Sequence, residues 1–142
     1  MASSLTIRAY SSADEAAVID VWRLCYLTRP QNNALLDIER KLKVNPELFL
    51  VGLFDGRVVS TAMVGYEGHR GWVNYLGVHP AYQRRGFGRQ LMEFAEEKLL
   101  ALGCPKINLQ IRKDNLGAVQ FYERIGYGTD EVISMGKRLI PD

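Results

Sequence analysis

The sequence predicts a layered α/β domain, and three observations predict it. Apolar residues alternate at a spacing of two in some stretches and recur at helical spacing in others. The two kinds of stretch are interleaved along the chain, which excludes separate helical and sheet halves. Short turn signals join them, so neighbours in sequence are neighbours in space. The chain has 142 residues, 47% apolar and 24% charged. That length allows a core of its own, and that composition is foldable. With no repeat, low-complexity tract or linker in between, one domain is expected from residue 3 to the end.

Leu5, Ile7 and Ala9 alternate with Thr6, Arg8 and Tyr10, as in a half-buried first strand. Ser12 and Glu15 have the spacing of a capping box, and Ala17, Val21 and Cys25 then follow at helical spacing. A break at residues 29–33 precedes a second helical pattern with Leu35, Ile38 and Leu42 on one face. Leu48 to Phe54 reads as a strand, Asp55-Gly56 as a tight turn, and Arg57 to Tyr66 as the returning strand. After the turn at residues 67–71, Trp72 to Val78 reads as a strand that Pro80 ends. These three strands, joined by short turns, must be antiparallel.

Gly86 to Leu102 is the clearest helix, with Leu91, Ala95, Leu99 and Leu102 on one stripe and Gly103 as a stop. Lys106 to Ile111 is expected as a strand, joined to the one before by a right-handed parallel crossover. Asp114-Asn115 caps a short helix to Ile125, and Ile133 to Leu139 is expected as the last strand. The predicted order is βααβββαβαβ.

Composition narrows the function. A net charge of +2 is too small to argue for nucleic acid or an anionic membrane. Cys25 and Cys104 have no metal-ligand spacing and read as reduced thiols; no metal is expected. No apolar stretch is long enough to span a bilayer. Met1 to Tyr10 lacks a basic segment followed by an apolar run, so no secretory leader is expected and a cytoplasmic protein is.

The most informative stretch is Gln83-Arg84-Arg85-Gly86-Phe87-Gly88-Arg89, between a strand end and the long helix. Glycines there let a bulky anion approach the backbone. First-turn amides lack intrahelical partners and lie at the positive end of the helix dipole, so a pyrophosphate suits the site. Arg84, Arg85 and Arg89 supply further charge in a geometry that matches phosphate. The bland alternative is a glycine-rich turn rimmed by solvated arginines. The third glycine of a dinucleotide fingerprint and the lysine of a P-loop are both missing.

Val78-His79-Pro80 followed by residues 83–88 resembles the acyl-CoA motif of the GNAT N-acetyltransferases, Gln/Arg-x-x-Gly-x-Gly/Ala. A second family signature is similar to residues 115–127, Asn115-Leu116-Gly117-Ala118-Val119-Gln120-Phe121-Tyr122-Glu123-Arg124-Ile125-Gly126-Tyr127. Residues 67–80, 103–107 and 136–140 further resemble the bacterial YpeA subgroup. The resemblance covers nearly the whole chain. It implies a mixed, mostly antiparallel twisted sheet of six to seven strands with about four helices. It also implies a V-shaped splay between two central parallel strands.

The activity it implies is acetyl transfer from acetyl-CoA to a primary amine, with no metal. The pantetheine arm would enter the splay and pair with main-chain groups of Leu76, Gly77 and Val78, one of which would polarise the thioester oxygen. Gly77 fits a bulge, or simply a small residue under a helix. Gln83, Arg84, Arg85, Gly86, Phe87, Gly88 and Arg89 would hold the phosphates. Asn115, Ala118 and Tyr122 follow at i, i+3 and i+7 and share a helix face. At ~1.5 Å per residue, Asn115 and Tyr122 are roughly 10 Å apart along the axis, which suits mid-arm and sulfur contacts.

Tyr122 is then the general acid for the departing thiolate. Glu67 is the first candidate for the base and His69 the second; His79 reads as structural or close to the cofactor. The acceptor pocket is expected around residues 26–33 and near Asp130 and Glu131. A monomer or homodimer is compatible. The competing readings are a non-catalytic acyl-CoA-binding or sensing module and a nucleic-acid-binding domain using the arginines, the latter without an aromatic stacking platform.

Overall fold

The structure, a computed structural model, describes residues 5–142; the expected domain start at residue 3 and the leader-free reading of Met1 to Ser4 lie outside the described residues. The chain forms two compact units, residues 5–108 with Asp142, and Leu109–Pro141.

In the first unit, strand β1 (Thr6–Ala9) leads to helices α1 (Glu15–Leu24) and α2 (Ala34–Lys41). Strands β2 (Phe49–Phe54), β3 (Arg57–Tyr66) and β4 (Gly71–Val78) follow, then helix α3 (Phe87–Ala101). Strand β5 (Ile107–Leu109) runs to the boundary, and helix α4 (Leu116–Arg124) belongs to the second unit. The sheet order is β1-β2-β3-β4-β5, with the first three pairings antiparallel. The Gly71 amide donates to the carbonyl of Lys106 at 2.9 Å, tying the start of β4 to the start of β5. Those two strands therefore run the same way, and the sheet is mixed.

Among the described residues five strands form, where six to seven are expected. The missing one is residues 133–139, which join no ladder; Ile133 and Met135 are 88% and 90% exposed. Alternation marks a segment that suits a strand, but a strand exists only through the hydrogen bonds of a partner. The connection after β2 is as predicted. Asp55 and Gly56 have φ of 55° and 73°, the left-handed pair that a two-residue hairpin needs.

A 3-10 turn, Ser12–Asp14, leads into α1, and the capping box belongs to that turn, one residue earlier than the sequence signal: Ser11 is its N-cap and Asp14, not Glu15, completes the box. Asp14 wins because Arg8 on β1 grips its carboxylate at 2.7 and 3.0 Å, which pays for burying it. On α2 the buried residues are Ile38 and Lys41, whereas Leu35 and Leu42 are exposed. Asn33 caps that helix, accepting from the Leu36 amide at 3.1 Å.

Tyr10, Val18, Trp22, Ile38, Phe49 and Val51 form one buried cluster under α1 and α2. Leu91, Met92, Ala95 and Leu99 of α3 are buried on the other face. A bulge in β4 links the two faces. Thr61 pairs with Gly77 and Met63 with Asn74, so Tyr75 and Leu76 together oppose Ala62. Tyr75 takes a left-handed φ of 53° there, rather than the glycine two residues on. The bulge reverses the alternation. A Cβ on Gly71 would meet Leu99 of α3, while one on Gly77 would meet Leu27 and Cys25 beyond α1. Gly77 is thus small because the end of α1 packs on it, and the extra residue lies before it.

Two helix ends of this unit share a geometry but not a residue. After α3, Gly103 (φ 86°) donates to Leu100 and Cys104 to Leu99, at 2.9 and 3.0 Å. After α1, Tyr26 (φ 58°) donates to Arg23 and Leu27 to Trp22, at 3.1 and 2.9 Å. Both are Schellman ends, whose left-handed position favours glycine. A tyrosine there costs roughly 1–2 kcal/mol.

Candidate active site

The α3 end of β4 is assembled from residues that fold for local reasons and remain open outward. Pro80–Tyr82 forms a 3-10 turn capped by His79, whose Nδ1 accepts from the Ala81 amide at 3.1 Å. That contact gives His79 a structural task. Gln83 reaches back to the Val78 carbonyl at 2.9 Å. Arg84 has φ of 65° and Gly86, the N-cap of α3, φ of 81°. No side chain caps α3, and a Cβ at Gly86 would meet nothing within 4 Å. The first turn of α3 is therefore without a side-chain cap, and its N-cap position is sterically open.

Two neighbours fix that helix start. Phe87 is buried, with its ring 5.4 Å from that of Phe54. Arg85 lies over Phe54 and Tyr82, 5.6 and 5.3 Å from the ring centres, so stacking holds its exposed guanidinium near the cradle. Sequence reading missed this aromatic support: Tyr82 adjoins the motif, but Phe54 comes from the end of β2, distant in the chain. Arg89 is shared with Glu93 at 3.4 Å, an exposed pair of small consequence.

Main-chain groups of β4 are only partly free. The His79 amide donates to Val59 at 2.7 Å, across to β3. By alternation the carbonyl of Val78 faces away from β3. It accepts from Gln83 and from the Cys25 thiol, the latter at 3.2 Å. Burial pushes that thiol up from its ordinary value. At the bulge, Thr61 donates its hydroxyl to the Tyr75 carbonyl at 2.8 Å and accepts the Trp22 indole N–H at 2.9 Å. The displaced carbonyl is thereby satisfied. Tyr75 stacks on Trp22 with ring centres 3.8 Å apart and donates to Asp37 at 2.7 Å. Burial, and then the Asp37 carboxylate, push its phenol well up. No alternation rule could have revealed this Trp22–Thr61–Tyr75–Asp37 network.

Glu67 is not brought to this end. It sits in the turn before Gly71, and from Gly71 to Gly77 the strand runs about 20 Å at its usual rise. Its exposed carboxylate accepts the amides of His69 and Arg70 at 2.5 and 2.7 Å. The Arg70 amide chiefly, with that of His69, holds the carboxyl below its ordinary range. His69 is beside it, 3.6 Å away.

A cleft of about 360 Å³ opens over the segment after α1, lined by Ile19, Thr28, Pro30, Asn32, Asn33 and Asp142 among others. Asp142 accepts from the Asn33 amide and from Arg40, both at 2.8 Å.

In the second unit, Asn115 is the N-cap of α4 and accepts the Ala118 amide at 3.1 Å. Its side-chain oxygen is therefore engaged locally. Tyr122 is buried, with Phe121 and Tyr127 edge-on at 5.0 and 5.6 Å, and burial pushes its phenol well up. Gly126 (φ 103°) ends α4 with the same pair of bonds as α3, from Gly126 to Glu123 and Tyr127 to Tyr122.

Residues 15–127 match the acetyltransferase (GNAT) family. The chain belongs to that family. An acetyltransferase of Yersinia pestis (strain Pestoides F) is 48% identical over 138 residues, 97% of this chain and 98% of that one. Among solved structures, AAC(6')-Iy in complex with the bisubstrate analog CoA-S-monomethyl-acetylneamine superposes with a TM-score of 0.76. That match has 17% identity and covers 94% of this chain and 98% of the other. The ribosomal-protein-S18-alanine N-acetyltransferase of Escherichia coli gives 0.67 at 20% identity, over 86% and 76%. These two likenesses concern the fold. This GNAT chain is an acyltransferase, and the family's co-substrate is acetyl-CoA. Among the described residues no cluster of metal-ligating groups occurs, and no helix is long and apolar enough to cross a membrane.

Proposed function

We propose that the protein transfers an acetyl group from acetyl-CoA to a primary amine by direct attack in a ternary complex. The observation that carries this reading is the uncapped, sterically open start of α3 at Gly86, flanked by Arg84 and Arg85. In this reading the diphosphate of acetyl-CoA lies on the amides of residues 87–89, with Gln83 fixing the loop through Val78. The arm follows the main chain of Leu76, Gly77 and Val78, and a main-chain amide there polarises the thioester carbonyl. Asn115 and Ala118 line the arm from α4, with the Asn115 amide group as donor because its oxygen serves the cap. Both compact units then act as one catalytic domain, a reading supported by a family match that spans their boundary.

Tyr122 is the proposed donor to the departing sulfur. A thiol ionises near ~8.5 and an ordinary phenol near ~10. With burial raising the phenol further, complete proton transfer is uphill, and Tyr122 contributes chiefly a hydrogen bond to developing negative charge. Glu67 is assigned only the far end of a water chain that carries away the amine proton, because turn amides already hold its carboxylate. The acceptor lies over the segment after α1, where the cleft opens.

The test is acetyl-CoA-dependent thiol release with a panel of primary amines: a peptide with a free N-terminus, a lysine peptide, spermidine and an aminoglycoside. Saturable release with at least one amine, together with its N-acetylated product by mass spectrometry, is the expected result. Thiol release that no amine accelerates overturns the proposal.

A further inference from the structure

One left-handed residue of the first unit is held from three directions. Tyr75, at the bulge of β4, has φ of 53°. Its ring stacks on Trp22, its hydroxyl donates to Asp37 at 2.7 Å, and its carbonyl accepts from the Thr61 hydroxyl at 2.8 Å. A regular ladder would satisfy that carbonyl without a left-handed tyrosine. A strained conformation that its surroundings over-determine points to a task for the strain.

The task follows from the peptide plane. The bond from Tyr75 to Leu76 is trans, so the carbonyl of the first and the N–H of the second point in opposite directions. Thr61 lies on β3 and holds the Tyr75 carbonyl toward itself. The Leu76 N–H is thereby turned away from β3. On that side β5 starts level with Gly71, through Lys106, and ends three residues on at Leu109, so its ladder stops before Leu76. Thr61 is aimed in its turn. The Trp22 indole N–H, a donor only, occupies an accepting position on the Thr61 hydroxyl at 2.9 Å, which leaves the hydroxyl proton for the Tyr75 carbonyl. Both side chains are fully buried, where no water competes for either bond.

We infer that Thr61 is a positioning residue: its hydroxyl, oriented by Trp22, fixes the bulge so that the Leu76 amide faces the thioester oxygen. This rests on the reading under Proposed function, in which a main-chain amide among residues 76–78 polarises that oxygen. What is added is which amide does so and which side chain aims it.

Three variants test this with the amine that turns over best in the panel above. Thr61→Val keeps the shape and removes the hydroxyl, and Thr61→Ser keeps the hydroxyl. Val64→Ala opens a cavity in β3 away from the bulge, where Val64 pairs with Val73. The thermal midpoint, kcat and KM for acetyl-CoA are read, with the infrared carbonyl stretch of bound acetyl-CoA isotope-labelled at the thioester carbonyl. Losing an oxyanion donor outright costs about 10²–10³ in kcat, and misaiming one costs part of that. In Thr61→Val, kcat should fall about tenfold to a hundredfold with KM for acetyl-CoA within about threefold. The stretch should move to higher frequency, because the hydrogen bond that polarises the carbonyl is weakened. Thr61→Ser should restore both. Val64→Ala should lower the midpoint, with kcat within about twofold and the stretch unmoved. Should Thr61→Val not fold, Thr61→Ala carries the same expectation. An unmoved stretch or an unchanged kcat in the folded hydroxyl-free variant overturns the inference. A Ser variant as impaired as the Val variant overturns it too, as does a Val64→Ala variant that loses kcat equally. Wild-type protein that acetylates no amine removes the underlying reading and this role with it. Normal wild-type turnover beside an unaffected Thr61→Val removes this role alone.

Discussion

The two loops that bracket β4 use their polar groups in opposite ways. At residues 67–70 the turn is closed on itself: the Glu67 carboxylate takes the amides of His69 and Arg70, and the Glu67 amide donates to Arg70. At residues 83–89 the reverse holds. Gly86 caps α3 with no side chain, the space over it is empty, and Arg84 and Arg85 form no ion pair among the described residues. A loop whose donors and acceptors are matched internally has nothing left for a ligand. A loop that leaves helix amides and guanidinium groups unmatched at the surface has an anion's worth of binding in reserve. On the reading proposed above, the ligand belongs to the end left unsatisfied.

The comparison breaks most sharply if the open loop is filled. Gly86→Asp places a carboxylate at the helix start, where it caps the amides and repels phosphate. Any side chain is strained at φ 81°, so Gly86→Ala serves as the control with equal strain and no charge. Acetyl-CoA at a hundredfold excess over Kd should stabilise wild type by about 2.7 kcal/mol. That shift should vanish in Gly86→Asp, with affinity down at least about a hundredfold (about 2.7 kcal/mol), and persist in part in Gly86→Ala. Calorimetric scans with and without acetyl-CoA check it. An intact shift in the Asp variant would place the phosphates elsewhere.

A smaller effect is expected away from both loops. Tyr122→Phe removes one hydroxyl and should lower kcat on the order of 10²-fold, the lower end for a placed acid, with KM for acetyl-CoA within about twofold. Because burial raises the phenol above its ordinary value, the donor form persists through the neutral range. The sign is definite: a raised phenol pKa delays ionisation, so Tyr122 gives no basic limb in kcat below about pH 10. A limb near pH 8 that disappears in the Phe variant would contradict this assignment.

What was legible in the sequence follows from how local each signal is. The Asp55-Gly56 hairpin, the glycine ends of α3 and α4, and the start of α3 at Gly86 are written in residue types that only those conformations favour. The order of elements could be read for the same reason. Features that depend on distant partners could not. The bulge lies at Tyr75, where the Thr61 hydroxyl, itself held by the Trp22 indole N–H, satisfies the displaced carbonyl, and no alternation pattern encodes that. Glu67, by contrast, lies in the turn between β3 and β4, so the order of strands in the sequence already put it at the opposite end of β4 from Gly77. Residues 133–139 alternate like a strand, yet a strand needs a ladder as well as a pattern.

The closed loop gives the smallest and most discriminating prediction. Glu67→Gln keeps an oxygen for the two turn amides and removes the charge, so it separates a turn cap from a base. A base acting directly on the amine would lose most of its rate with the carboxylate, by 10²-fold or more. A carboxylate at the end of a water chain, held by turn amides and about 20 Å along β4 from Gly77, should change kcat/KM by no more than about threefold. The pH profile adds a second arm. Hydrogen bonds from Arg70 and His69 lower the Glu67 carboxyl, so it is ionised throughout the range above the ordinary carboxylate value of about 4.3. An acidic limb in kcat/KM near pH 6–7 must then come from another group or from the amine itself, and it should survive in Glu67→Gln. Being depressed in the folded state, Glu67 stabilises the turn above its ordinary pKa and loses that contribution as pH falls through the lowered one. Loss of the limb in the Gln variant, or a hundredfold fall in rate, would reverse the contrast between the loops and make the closed one catalytic.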